Sequence, residues 1–81
     1  MILRVKMFAR ARDLVGAAEV AVELPVGADV KALRRRLGEM YPHLAGLLER
    51  SALAVNNEFA GDAVVLAAAD EVALLPPVSG G

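Results

Sequence analysis

Apolar and polar positions alternate through residues 2–8, with Leu3, Val5 and Met7 on one side and Arg4 and Lys6 on the other. A period of two predicts a strand with one buried face. The same alternation returns at residues 19–24, where Val20, Val22 and Leu24 face in and Glu19 and Glu23 face out. Between them, residues 9–15 read as one or two helical turns closed by Gly16. After the turn at Pro25-Val26-Gly27 the period changes. Val30, Leu33, Leu37 and Met40 recur at helical spacing behind Asp29, whose carboxylate can cap the first free amides. Tyr41 precedes Pro42 and so ends that helix. Leu44, Leu47 and Leu48 predict a second short helical piece. Residues 52–59 read as one strand or a small hairpin broken at Asn56-Asn57, and residues 63–66 as a short strand or irregular edge. A turn at Ala69-Asp70 leads into a last strand, residues 71–75, with Val72 and Leu74 inward, and Pro76-Pro77 stops it.

Strand, strand, helix, then short strands is the order of an α+β domain with one main helix laid across a mixed sheet. The 81 residues make one domain, with a body at residues 1–75 and an extended tail at residues 76–81. A chain this short has little core to spare. Its 57% hydrophobic content and mean hydropathy of +0.49 compensate, and leave apolar surface for a partner.

The chain has no cysteine, which removes disulfides, thiolate metal sites and cysteine nucleophiles together. With 4% aromatic residues and a net charge of −1, it is poorly equipped to stack on bases or bind nucleic acid. The longest apolar run, residues 63–69, is far too short to span a bilayer. Met1 leads straight into alternating residues rather than a secretory leader, so the cytoplasm is the expected compartment. Eight of the nine Lys and Arg fall in the first forty residues, and no charged side chain follows Glu71.

Few residues invite side-chain chemistry. Arg34-Arg35-Arg36 reads as a solvated helix face before it reads as a phosphate site, because the same helix buries Val30, Leu33 and Leu37. His43, the one histidine, has no partner at metal-ligand spacing and reads as a surface or capping residue, so no metal site is expected. Asp70-Glu71 reads as a turn and strand entry rather than an acid–base pair. Ser79 has no visible His or Asp to activate it. No phosphate loop or Gly-x-Gly-x-x-Gly is present, so any activation by ATP falls to another protein. Asn56 and Asn57 suit a turn that needs left-handed angles. Leu74 and Leu75 are consecutive on a strand, so one of them points away from the core and, with Phe8, forms a candidate docking patch.

That leaves Gly80-Gly81. By composition two glycines stand last in roughly one chain in two hundred. Lacking a Cβ, they can thread a channel closed to other residues. The α-carboxylate is ionised at neutral pH, with an ordinary pKa of about 3.3–3.7, and becomes an electrophile only when activated, for example as an acyl-adenylate. Pro76 and Pro77 favour a stiff, extended exit from the sheet. Six residues reach at most about 20 Å, enough to enter a neighbour's pocket. A channel that admits this end is expected to be basic.

Three stretches, taken in order, resemble the small subunit of molybdopterin synthase. They are VKMFARARDLVG at residues 5–16, AVNNEF at residues 54–59 and, most specific, DEVALLPPVSGG at residues 70–81. Two departures stand out. The family usually has Gly where Ala69 stands, and aromatics where Leu74 and Leu75 stand, which makes the expected patch flatter and aliphatic. The resemblance implies a ubiquitin-like β-grasp fold. It implies that Gly81 is adenylated by a ubiquitin-activating-like enzyme, converted to a thiocarboxylate with sulfur from a donor protein, and inserted with Gly80 into the large subunit. There the sulfur passes to a pterin precursor to form the molybdopterin dithiolene. Phe8, Leu74, Leu75, Pro76, Pro77, Val78 and Ser79 are the expected partner contacts. The adenylate and thiocarboxylate are transient, with no permanently bound cofactor, and the chain is a sulfur-donating rather than a catalytic subunit. Three other readings stay open: a sulfur carrier for thiamine or another product, a protein tag joined to lysines through Gly81, and a binding domain with an inert tail.

Overall fold

The computed structural model describes residues 1–77. Five strands and three α-helices follow one another as β1 (Ile2–Met7), α1 (Ala9–Val15), β2 (Glu19–Glu23), α2 (Val30–Met40), α3 (Ala45–Leu48), β3 (Ala52–Val55), β4 (Glu58–Ala60) and β5 (Val72–Leu75), with a 3₁₀ turn at Pro42–Leu44. The strands form one mixed sheet in the order β2-β1-β5-β3-β4. β1 and β5 lie parallel at its centre, and every other pairing is antiparallel.

The alternation in β1 places Leu3, Val5 and Met7 on the covered face, each 2% exposed or less. Val22 from β2, Leu53 from β3, and Val72 and Leu74 from β5 join them. Val30, Leu33 and Leu37 of α2, all fully buried, close the core from above. Burial of each such side chain contributes about 1.5–3 kcal/mol. The helix starts as expected: Asp29 Oδ1 accepts a hydrogen bond from Ala32 N–H at 2.9 Å. It stops at Tyr41, and the 3₁₀ turn and α3 fold Leu44, Leu47 and Leu48 back into the core.

Residues 52–59 form a hairpin rather than one strand, turning at Asn56 and Asn57 with φ of 52° and 68°. Two successive left-handed residues match the right-handed twist of the flanking strands. Residues 63–66 are the irregular alternative, with an isolated bridge between Asp29 and Val65 in place of a strand, and Leu66, 3% exposed, joins the core. Ala69 has no left-handed φ, so a Cβ is tolerated where the family usually has glycine.

One expectation is corrected. Arg34 does not simply face solvent with Arg35 and Arg36. Its guanidinium turns back to donate hydrogen bonds to the Leu48 carbonyl and, at 2.9 Å, to the Ser51 carbonyl, and lies 3.6 Å from the Asp62 carboxylate. It ties α2 to the α3–β3 connection. Arg35 and Arg36 are exposed, as is His43.

Candidate functional site: the open face of the sheet

All three α-helices leave the other face of the sheet uncovered, and strand register decides what stands there. Residues paired across strands point the same way. Lys6 pairs with Glu19 on one side and Ala73 on the other, Ala73 with Ala54, and Ala54 with Phe59. One row across the whole sheet therefore reads Glu19, Lys6, Ala73, Ala54, Phe59. In the next row Leu75 pairs with Ala52, and Phe8, one step beyond the Met7–Leu74 pair, stands at the level of Leu75. Phe8 is 44% exposed and Phe59 80% exposed. Two aromatic rings thus flank a strip of alanines and one leucine.

Local backbone explains the placement of Phe8. β1 ends at Met7, and Ala9 adopts a left-handed φ of 50°, costly for a residue with a Cβ. The chain bends sharply there into α1 and leaves the ring at the lip of the sheet.

Of the residues expected to meet a partner, Phe8 and Leu75 stand together on this face. Leu74 does not: it is 0% exposed and belongs to the core, opposite Leu53. Parity requires this, since Val72 and Leu74 share the inward side of β5. Pro76 is half-buried and Pro77 exposed, directly after β5. Val78, Ser79, Gly80 and Gly81 lie outside the described residues. Phe59 is the residue that sequence reasoning missed as a site. The sequence offers one local signal, a large apolar side chain two residues after an Asn-Asn turn; its register with Ala54 comes from the strand pairing. It also means that the patch is not purely aliphatic.

Charge surrounds the patch. Arg4 and Glu19 form an ion pair at 3.3 Å, worth little because both are exposed. At the start of β5 the Asp70 carboxylate accepts hydrogen bonds from the Ala67 amide at 2.7 Å and the Asn56 side-chain amide at 3.0 Å. These two contacts, Ala67 foremost, hold its pKa below the ordinary value. The cluster is structural, as a turn reading of Asp70-Glu71 requires. Among the described residues, no three His, Asp or Glu side chains gather as a metal site, and no helix is long and apolar enough to cross a membrane.

A mixed sheet of this strand order, crossed on one face by a main helix and carrying its last strand at the centre, is the ubiquitin-like β-grasp. The chain belongs to the ThiS family, which it matches over residues 5–81. It is 41% identical to the molybdopterin synthase sulfur carrier subunit of Caenorhabditis briggsae over 81 residues, covering 98% of this chain and 96% of that one. Its fold superposes on SAMP1 from Haloferax volcanii with a TM-score of 0.87, at 29% identity and full coverage of both chains. It also superposes, with a TM-score of 0.69 at 26% identity, on a chain in the complex of subunits 1 and 2 of molybdopterin-converting factor from Helicobacter pylori, again over the whole of both chains.

Proposed function

We propose that this chain is the sulfur carrier of a molybdopterin synthase. The observation that carries the reading is the match to a sulfur carrier subunit along nearly the full length of both sequences, together with a family match that runs through Gly81. The Gly81 carboxylate is the working group. One of its oxygens attacks the α-phosphorus of ATP on an adenylating enzyme, forming the acyl-adenylate and releasing pyrophosphate. A sulfide-level nucleophile from a sulfur donor then displaces AMP and leaves the thiocarboxylate. Val78, Ser79, Gly80 and Gly81 carry that group into the large subunit, where the sulfur bonds to a carbon of a pterin precursor in place of an oxygen substituent, and water then cleaves the Gly81 acyl–sulfur bond, restoring the carboxylate and leaving the sulfur on the pterin.

The body supplies docking. Phe8, Phe59 and Leu75 give the open face the apolar centre and aromatic anchors of a protein–protein interface. Pro76 and Pro77 direct the chain away from the sheet beside that patch. The partner is a large subunit, as subunits 1 and 2 associate in the Helicobacter pylori complex. The chain holds no cofactor of its own, and works in the cytoplasm, where ATP and the activating enzyme are present.

A second reading is favoured by the likeness to SAMP1, also described as small archaeal modifier protein 1. In it the activated Gly81 joins lysines of other proteins. Two measurements separate these readings, the first being the intact mass of the protein after incubation with its host's adenylating enzyme, ATP and a sulfur donor. The carrier gains the mass difference between one sulfur and one oxygen. No gain, with an enzyme competent on another carrier, refutes the sulfur-carrier reading, and isopeptide-linked conjugates in cells establish the tag.

A further inference from the structure

Ala54 and Ala73 face one another across the β3–β5 pair, at the middle of the open face. Two methyl groups side by side among larger neighbours leave a depression. It measures about 110 Å³ and is walled by Phe8, Lys6, Asn57 and Glu71. Ala54 is 8% exposed and Ala73 half-buried, so the alanines form the floor and the longer side chains the walls.

We propose that this hollow is a socket for one aliphatic side chain, of leucine or isoleucine size, presented by the large subunit of the synthase. The identity of the partner rests on the sulfur-carrier reading; the socket rests on the geometry. Size sets the first limit. An enclosed cavity of about 150 Å³ accepts a benzene ring, so a hollow of about 110 Å³ has room for a branched aliphatic group. Chemistry sets the second. The alanine floor is apolar, while Lys6, Asn57 and Glu71 place donors and acceptors at the lip, where they can meet main-chain groups flanking the seated side chain. An apolar pocket inside a polar rim is the arrangement in which interface energy concentrates.

Position gives the socket its purpose. It lies in the row that runs to Phe59 and beside Leu75, the last residue before the chain leaves the sheet. A side chain seated there fixes the body against the large subunit in one register. The tail then starts from a fixed point, and its short reach brings Gly81 to one place.

The test is binding of the full chain to the large subunit by titration calorimetry, comparing wild type with A73V and A73L. Position 73 points outward, so the larger side chains are accommodated by the fold, which a thermal melt checks. Filling the socket should weaken binding progressively, slightly for A73V and about tenfold or more for A73L. The sign is what decides, because A73L makes the face more apolar, and undirected hydrophobic contact would then bind as well or better. Equal or tighter binding by folded A73L overturns the socket and leaves the carrier reading standing. If A73L fails to fold, undiminished binding by A73V has the same force. Failure of the wild-type chain to bind the large subunit overturns both.

Discussion

Asn56 donates a hydrogen bond through Nδ2 to Asp70 Oδ1 at 3.0 Å, joining the β3–β4 turn to the turn that launches β5. The contact is part of a clasp. Asn56 Oδ1 accepts from the Glu71 amide at 2.9 Å, and the Asn56 amide donates to the Glu71 carbonyl at 2.8 Å. Three hydrogen bonds thus set where the central strand begins, and with it where the tail departs.

The clasp makes stability depend on acid in a defined direction. The Asp70 pKa lies below its ordinary 3.8, first through Ala67 N–H and then through Asn56. A carboxyl whose folded pKa is lowered stabilises the fold fully above its unfolded pKa, and that contribution is lost as pH falls through the folded value. D70N should therefore melt below wild type at pH 7, and the gap should close as pH drops under about 4. Melting curves between pH 7 and 2 check this; a gap that stays constant would refute the assignment.

Arg34 is expected to matter where its two neighbours do not. Removing it leaves the Ser51 carbonyl without its guanidinium donor in a half-buried site and takes one of two donors from the Leu48 carbonyl, which keeps the Ser51 amide. R34A should cost about 1–3 kcal/mol in urea unfolding, while R35A and R36A should stay within about 0.5 kcal/mol of wild type. Equal losses for all three would show that the guanidinium contacts carry no special weight.

Much of this was legible in the sequence because it depended on period and punctuation. The two-residue period of β1 and β2, the helical spacing of Val30, Leu33 and Leu37, and the Asn-Asn turn each name their structure locally. What was not legible depended on long-range packing. Arg34 sits in a basic run that reads as solvated, and only the return of α3 beneath α2 brings it two carbonyl partners. Phe59 became a site residue because register sets it beside Ala54, a relation that no local pattern contains. The Ala54–Ala73 hollow is likewise invisible until β3 and β5 are paired, since the two alanines are 19 positions apart.

Leu74 and Leu75 are adjacent in sequence and should separate cleanly by experiment. Leu74 is fully buried, so L74A should cost about 2–5 kcal/mol of folding stability. Leu75 lies on the open face, so L75S should leave folding nearly unchanged while weakening association with the large subunit. Denaturant unfolding and a binding titration on the same two variants decide it. A large stability loss in L75S, or an unperturbed L74A, would reverse the assignment of faces.

The terminal glycines are expected to show the opposite dissociation from Leu74: no part in folding, complete importance for transfer. Gly81 follows the core-forming strand by six residues, and no core side chain lies beyond Leu74 among the described residues. Deletion of Gly81 should therefore leave the melting temperature and large-subunit docking through Phe8 and Leu75 close to wild type. It removes the carboxylate from the position an adenylating enzyme reaches, so sulfur loading should fall to background. G81A is the finer probe, because it keeps the carboxylate in place and adds one methyl group to a segment expected to pass a narrow channel. Loading of G81A should drop steeply while its binding to the large subunit changes little. Intact-mass measurement of the loaded fraction, read beside a melt of each variant, checks both; normal loading of either variant would remove Gly81 from the chemistry and leave the open face as a docking surface alone.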